Sequence, residues 1–180
     1  MAAALLAVAL FAALLPSPAK AATGAPAGAA GADQTLRPVA PPARAGMMAE
    51  STYMFSWAAF SYVTARQNQT DSPLQARAGS ASTWEQFYIY YSGDSWVIRS
   101  TYNAKFVSAR LSQTDAPLQA RADTVGAWEK FELWLTGDGA TVIQSKANGK
   151  YVTARASQTD APLQARATVI DDWEKFTIPL

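Results

Sequence analysis

A sequence unit that occurs three times between residues 50 and 180 constrains the fold more than any other feature. Each copy contains the tetrad Val-Thr/Ser-Ala-Arg, which begins at Val63, Val107 and Val152. After two residues the motif Gln-Thr-Asp-Ser/Ala-Pro-Leu-Gln-Ala-Arg-Ala follows, and later the motif Trp-Glu-Gln/Lys-Phe. The three valines are 44 and 45 residues apart, and a repeat of this period indicates a body built from three equivalent units.

Each unit is predicted to form four short strands, because apolar and polar residues alternate in it and no helical stripe is present. Gly93-Asp94, Asp138-Gly139 and Asn148-Gly149 are typical hairpin turns between such strands. Propeller blades also have four strands and a similar period, but a propeller usually closes with at least four blades. The sequence therefore predicts an all-β protein, a single β-trefoil with repeats at about 50–92, 93–137 and 138–180.

The first 49 residues differ from the repeats in composition. Residues 2–15 form an apolar run too short to cross a membrane, and Ala19-Lys20-Ala21 supplies a small-x-small cleavage site. This pattern predicts a signal peptide over residues 1–21 and a secreted protein, extracellular or periplasmic, with no stable membrane anchor after cleavage near Ala21. A buried apolar helix is disfavoured by the prolines that follow the run. Residues 22–49 are rich in Ala, Gly and Pro without periodicity and predict a disordered linker.

The overall composition excludes several kinds of chemistry. The chain has no cysteine and no histidine, which removes disulfide scaffolds, Cys/His metal sites and histidine-dependent nucleophilic catalysis. A formal net charge of +1 lacks the basic excess of a nucleic-acid-binding protein, so nucleic acid is not an expected partner. We expect a binding protein rather than an enzyme, and no residue pattern here indicates a cofactor or a metal site.

The third copy carries a resemblance to a known family. Gly149-Lys-Tyr-Val-Thr-Ala154, Pro162-Leu163 and Trp173-Glu-Lys-Phe176 resemble the repeat of the fascin-like, or actin-crosslinking, β-trefoil superfamily, and the resemblance covers all three copies. That superfamily includes actin-bundling fascins and single modules appended to secreted glycoside hydrolases, where sugar binding is inferred. The resemblance therefore implies either a glycan or a protein partner. The Gln-x-Trp signature of ricin-type lectins is absent, so a ricin-type galactose site is not implied.

Polar residues recur on the hairpin formed by the second and third strands of each copy. Since side chains alternate along a strand, Val63 and Ala65 are predicted to face inward, and a turn centred between Thr70 and Asp71 would place Arg66 opposite Gln75. One hypothesis makes each hairpin a sugar site, with Asp as acceptor and Arg and Gln as donors, and three weak sites would gain from avidity. These candidate residues are Arg66, Asp71, Gln75 and Arg77; Arg110, Asp115, Gln119 and Arg121; and Arg155, Asp160, Gln164 and Arg166. The alternative is structural, with the Asp capping its own turn and the arginines pairing with it or with Glu85.

The repeated Trp-Glu motifs are predicted to be structural, although paired carboxylates also serve glycosidases. Threefold placement favours hydrogen bonding by Glu85, Glu129 and Glu174, and a barrel core built from Trp84, Trp128, Trp173, Phe87, Phe131 and Phe176. Trp57 and Phe60 depart from the repeat, because the third copy has Lys146 and Gly149 at those positions. Their rings are predicted to be partly exposed, either to stack on a sugar or to be covered by the linker.

These observations predict a secreted, non-enzymatic, lectin-like carbohydrate-binding β-trefoil. Two alternatives stay open at this point. A protein-binding module of the fascin-like type would bind actin or another protein, and a hydrolase inhibitor would present the loop from Trp57 to Phe60.

Overall fold

The structure is a computed structural model that describes residues 35–42 and 50–180. The predicted signal peptide and the linker segments 22–34 and 43–49 lie outside the described residues. Within the part of the chain that is described, no helix has the length and apolar character needed to cross a membrane.

Thirteen strands and three short 3-10 turns make up the secondary structure of the described residues. A two-residue strand, β1 (Arg37–Pro38), precedes the repeats. The first repeat contains β2 (Phe55–Ser56), β3 (Ser61–Ala65), β4 (Leu74–Ala78) and β5 (Phe87–Ser92). The second contains β6 (Ser95–Ser100), β7 (Phe106–Ala109), β8 (Leu118–Ala122) and β9 (Phe131–Leu135). The third contains β10 (Thr141–Ser145), β11 (Tyr151–Ala154), β12 (Leu163–Ala167) and β13 (Lys175–Thr177).

The first and fourth strands of the three repeats form a barrel. The fourth strand of one repeat pairs with the first strand of the next in β5–β6 and β9–β10, and β13 pairs in the same way with β2. Within repeats, β6 pairs with β9 and β10 with β13, and a bridge between Thr52 and Phe87 completes the series. The chain therefore closes the barrel by pairing its first repeat with its last.

The second and third strands form three hairpins that interlock in a cycle at one end of the barrel. The Ala120 amide donates to the Ser72 carbonyl of the first hairpin at 3.0 Å, and the Ala165 amide donates to the Ala116 carbonyl of the second at 2.9 Å. The Ala76 amide donates to the Ala161 carbonyl at 3.0 Å, which returns the cycle to its start. A barrel covered by three interlocked hairpins is a β-trefoil, so the predicted fold class is confirmed.

The core consists of the inward side chains of these strands. Val63, Ala65 and Leu74 are buried, as are Phe87 and its threefold equivalents Phe131 and Phe176. The three repeated tryptophans were predicted to join this core, and that prediction is wrong. Trp84 lies in the 3-10 turn Thr83–Glu85 rather than in a strand and is half-buried, as are its two equivalents in the turns Ala127–Glu129 and Asp172–Glu174.

The register of the first hairpin also differs from the predicted one. Thr64 lies opposite Gln75 and Ala65 opposite Leu74, so Arg66 does not face Gln75 across the ladder. The loop closes by a bond from the Arg66 amide to the Pro73 carbonyl at 3.0 Å. Asp71 has a φ of 63°, in the left-handed region that Asp tolerates better than most residues, and this turn geometry sets the register.

Part of the predicted linker is ordered. Arg37 pairs with Leu135 and Pro38 with Trp134, so residues 35–42 add a short strand to the edge of β9. Val39 packs against the core from this position. Disorder was predicted for residues 22–49 because the segment has no periodicity. The prediction missed this strand because two paired residues and one apolar side chain form too short a segment to produce a periodic pattern.

Candidate functional site

The polar residues of the three hairpins bind one another across repeat boundaries. Asp160 accepts from Arg77 Nε at 2.9 Å and lies 3.4 Å from Arg66 Nη1, both in the first repeat. Asp71 lies 3.1 Å from Arg121 Nε and 3.6 Å from Arg110 Nη1, both in the second repeat. Asp115 pairs in the same sense with Arg166 of the third repeat, at 3.2 Å. Each aspartate thus binds arginines of the following repeat, whereas the structural alternative expected pairing within one hairpin.

Two of the three repeated glutamines accept hydrogen bonds from arginines of this network, and the third does not. Arg66 Nη1 donates to Gln75 Oε1 at 2.8 Å, and Arg110 Nη1 donates to Gln119 Oε1 at 2.9 Å. In the third repeat the Arg155 guanidinium lies 5.6 Å from the centre of the Trp173 ring, and Gln164 Oε1 has no partner in the structure. The carboxylates are therefore already occupied by arginines, and ligand binding by the hairpins stays a prediction.

The glutamate of each Trp-Glu motif is buried and accepts hydrogen bonds. Thr64 Oγ1 donates to Glu85 Oε1 at 2.7 Å, and the Ser82 amide donates to Glu85 Oε2 at 2.9 Å. Glu129 accepts in the same way from Ser108 Oγ and from the Gly126 amide. Each glutamate links its turn to the second strand of the same repeat, which confirms the structural role predicted for it.

The loop between the first and second strands of the first repeat forms one wall of an open groove. The groove has a volume of about 500 Å³, and the 3-10 turn of the third repeat forms the other wall. Its lining residues are Phe55, Trp57, Ala58, Phe60, Asp172 and Trp173. The two walls are held together because the Trp57 amide donates to the Lys175 carbonyl at 3.1 Å. The groove therefore lies where the first and last repeats meet.

Trp57 is fixed in this groove by its neighbours. Its Nε1 donates to Thr177 Oγ1 at 2.9 Å, and Lys175 Nζ lies 5.6 Å from the ring centre. Lys175 in turn binds Asp138 at 2.9 Å and Asp172 at 3.2 Å, and the hydrogen bond that it donates to Asp138 raises the pKa of its ammonium group. The indole is therefore oriented before any ligand arrives, and its polar edge is already satisfied.

Phe60 combines an exposed ring with an unfavourable backbone. Its φ is 48° and the residue is 81 % exposed. The equivalent positions, Ala104 and Gly149, also have positive φ, at 56° and 67°, so the loop geometry is common to all three repeats. A bulky residue in this conformation costs about 1 kcal/mol or more relative to glycine. Burial does not offset that cost, and the stability of the fold does not explain a phenylalanine here.

The equivalent clefts of the other two repeats have different walls. In the second, Tyr102 is 59 % exposed and packs edge to face on Trp84, with the ring centres 6.1 Å apart. In the third, Lys146 Nζ donates to the Asp94 carbonyl at 2.9 Å and so binds the neighbouring turn. Hydrogen bonds from Lys130 and then Lys146 lower the pKa of Asp94 to about 2. The groove of the first repeat differs from both of these clefts, because in it two aromatic residues of the loop, Trp57 and Phe60, face Trp173.

The groove has the groups needed to bind a sugar ring. Aromatic faces pack against the C–H face of a pyranose, while a nearby carboxylate accepts from its hydroxyl groups. The Asp172 side chain is 76 % exposed at the rim, and its free lone pairs are available for such bonds. Sequence reasoning identified Trp57 and Phe60 but missed Asp172 and Trp173. For Asp172 the signal was present in the sequence, because Asp171-Asp172 replaces Ser82-Thr83 and Gly126-Ala127 of the other copies.

Comparison with known proteins supports the fold. No protein-family model and no curated protein sequence matches the chain. Among solved structures, a designed threefold symmetric protein, ThreeFoil, is similar with a TM-score of 0.63 and 13 % identity over 71 % of this chain and 96 % of that one. A ricin B-like lectin from Macrolepiota procera, solved in complex with lactose, has a TM-score of 0.61 and 13 % identity over 72 % and 94 %. The Rhizoctonia solani agglutinin has a TM-score of 0.60 and 10 % identity over 79 % and 98 %. At these identities the likeness establishes that the chain is a β-trefoil, while the fascin-like resemblance stays a prediction.

Proposed function

We propose that the protein is a secreted, non-enzymatic, lectin-like β-trefoil that binds carbohydrate in the groove between its first and last repeats. The observation that carries the proposal is Phe60, an exposed aromatic ring on a left-handed backbone. Strained residues of this kind cluster at binding and active sites. The similarity in fold to a lactose-bound lectin and an agglutinin supports a glycan partner.

The surroundings of the groove support binding rather than catalysis. Glu174, the buried carboxyl group of the adjacent turn, accepts from the Asp171 amide at 3.0 Å and is engaged within its own repeat. Asp172 is exposed to solvent and hydrogen-bonded to Lys175. Glu174 is not among the residues that line the groove, so the two carboxyl groups do not face each other across it as a glycosidase pair would. Secretion is proposed from the predicted signal peptide.

The decisive experiment replaces Phe60 with glycine, the residue of the third repeat. We expect Phe60→Gly to raise the free energy of unfolding by about 1 kcal/mol, because it removes the backbone strain. The same change is expected to weaken binding about tenfold, because one stacking surface is lost. The measurements are urea unfolding, and calorimetric titration with an oligosaccharide identified on a glycan array.

Ala104→Gly is the matched control. It relaxes the equivalent backbone position of the second repeat without touching the groove, so it should stabilise the fold and leave glycan affinity unchanged. Equal glycan affinity of wild type, Phe60→Gly and Ala104→Gly would place the sugar elsewhere. A flat glycan array together with no retention on insoluble polysaccharide would exclude carbohydrate binding itself.

The exposed loop from Trp57 to Phe60 also favours a second candidate function. In it the protein binds a protein partner, such as a hydrolase, and inhibits it through this loop. Phe60 is exposed enough to enter a pocket of another protein. Inhibition across a hydrolase panel that disappears in Phe60→Gly, together with a flat glycan array, would support this candidate. The fascin-like alternative instead predicts co-sedimentation with actin filaments and sensitivity to loss of the repeated arginines. All of these arginines except Arg155 form ion pairs with aspartates.

A further inference from the structure

The ordered residues before the trefoil occupy an edge that β9 would otherwise expose. Arg37 and Pro38 pair with Leu135 and Trp134, and the Val39 amide donates to the Leu133 carbonyl at 2.9 Å. An unpaired edge strand is a ready template for another extended chain. The structure therefore shows what this edge accepts, namely an extended segment with the sequence Arg-Pro-Val-Ala-Pro-Pro, residues 37–42.

The side chains of the segment fill the site only in part. Val39 is half-buried and packs against the core, whereas Arg37 and Pro38 are exposed. A cavity of about 190 Å³ remains beside the segment. On the trefoil side, its apolar and aromatic wall residues include Tyr91, Trp96, Leu133 and Trp134, and the polar residues Asp94, Ser95 and Glu132 also line it. A larger aliphatic side chain in place of the valine would bury more apolar surface here.

The trefoil does not depend on this segment for its closure. The buried residues of the hydrophobic core lie between Met54 and Ile178, and the barrel closes through the pairing of β13 with β2 and the Thr52–Phe87 bridge. A strand with two paired residues and one apolar anchor belongs to the least stable parts of a fold. Release of the segment would expose the edge and the aromatic wall while the barrel stays intact.

We propose that the edge of β9, with the wall formed by Tyr91, Trp96 and Trp134, is a docking site for extended, proline-containing segments of partner proteins. The protein's own residues 35–42 occupy this site in cis. Extended proline-rich peptides suit it because proline needs no hydrogen-bond partner for nitrogen and holds the chain extended before it docks. The preferred ligand has Leu or a larger apolar residue at the place of Val39, followed by prolines. This proposal is independent of sugar binding in the groove.

The test uses the full chain and two synthetic peptides, Arg-Pro-Val-Ala-Pro-Pro and the same peptide with Leu in place of Val. Binding is followed by calorimetry and by amide NMR shifts of β9. In the native chain the Leu peptide should bind more tightly than the Val peptide. In Val39→Asp, and in the milder Val39→Gly, both peptides should bind about tenfold more tightly, because the competing segment is released.

Two controls separate docking from general effects on the fold. Val169→Asp changes an exposed valine outside this site and should leave peptide affinity unchanged. Trp134→Ala in the Val39→Asp background should abolish binding. A folded Val39→Asp chain that binds neither peptide would overturn the proposal, and so would equal binding of a peptide with its prolines replaced by alanine. A concentration-dependent dimer of the native chain that does not respond to peptide would identify a second copy as the occupant instead.

Discussion

At the residue scale, the 3-10 turn of the third repeat has an additional carboxyl group, that of Asp171, which the equivalent turns of the other repeats lack. Asp171 occupies the position of Ser82 and Gly126, and its amide donates to Glu174 at 3.0 Å. Burial is the main cause that raises the pKa of Glu174 to about 7, and the hydrogen bond and charge of the Asp171 carboxyl group add to it. The Asp171-Asp172 substitution that contributes Asp172 to the groove therefore also adds to the rise in the pKa of the neighbouring Glu174.

This pKa predicts how stability depends on pH. Between about pH 4.5 and pH 7 the folded state holds a proton on Glu174 that the unfolded state has released, so stability falls as pH rises through this window. The slope is at most about 1.4 kcal/mol per pH unit and flattens near neutrality. We expect Glu174→Gln to remove most of the slope between pH 5 and pH 7, as measured by urea unfolding.

Asp171→Ser provides the control, because it restores the residue of the first repeat. It should lower the pKa of Glu174 and reduce the slope without removing the carboxyl group. Asp94 and Asp138, whose pKa values are lowered to about 2, contribute below about pH 4 and do not affect this window. Parallel pH profiles of wild type and Glu174→Gln would contradict the prediction.

Some residues of the candidate site could be identified from the sequence alone, and others could not. Trp57 and Phe60 stand out because they interrupt a threefold pattern, and their partial exposure is confirmed. Trp173 could not be found in this way, because a repeated tryptophan is what a symmetric core also predicts. Its half-buried position depends on a 3-10 turn that leaves one aromatic per repeat at the surface.

At the scale of elements, the interlocked hairpins connect each repeat to the next by main-chain and side-chain bonds. We expect Asp160→Asn to lower the free energy of unfolding by about 1 kcal/mol, because two arginines lose their carboxylate and one of them, Arg66, is largely buried. Glycan affinity should not change if the sugar lies in the groove. Unfolding and binding titrations on the same samples measure both.

The triple variant Asp71→Asn, Asp115→Asn, Asp160→Asn sharpens this test. Its destabilisation should be roughly the sum of the single effects, since the three aspartates occupy separate repeats. Graded loss of glycan affinity in single, double and triple variants that stay fully folded would instead restore the three-site hypothesis.

Sequence predicted these elements more accurately than their connections. The order of the strands and the inward residues Val63, Ala65 and Leu74 follow from alternation, and the structure confirms them. The register of the hairpin does not follow, because it depends on the positive φ of Asp71 and Ser72 in the loop. The pairing of an aspartate with the next repeat could not be predicted either, since alternation along a strand says nothing about neighbouring hairpins.

At the scale of the whole molecule, the two ends of the trefoil lie together. Thr52 Oγ1 donates to the Pro179 carbonyl at 2.6 Å, and β2 pairs with β13. A permuted chain that joins residue 180 to residue 50 and opens between Gly79 and Ser80 should fold, because both residues lie in an exposed loop. Its midpoint of thermal unfolding should fall by only a few degrees.

A second permutant, opened between Asn68 and Gln69, is the matched control. It cuts an equally exposed loop, yet that loop is the tip of a hairpin whose Ser72 carbonyl accepts from Ala120 in the second repeat. This permutant should be clearly less stable than the first by thermal unfolding and circular dichroism. Equal stability of the two would show that the hairpin tips contribute little.

The cycle of hairpins has a consequence for how much of this chain can exist alone. The aspartate of each repeat binds an arginine of the following repeat, in a closed cycle. A chain cut to one repeat would therefore keep an aspartate and an arginine whose partners are missing. Linear repeat proteins solve the same problem with capping repeats at their ends, whereas a ring has no ends to cap. One repeat by itself should therefore stay unfolded when dilute, and three separate copies would be the smallest number able to assemble into a closed body.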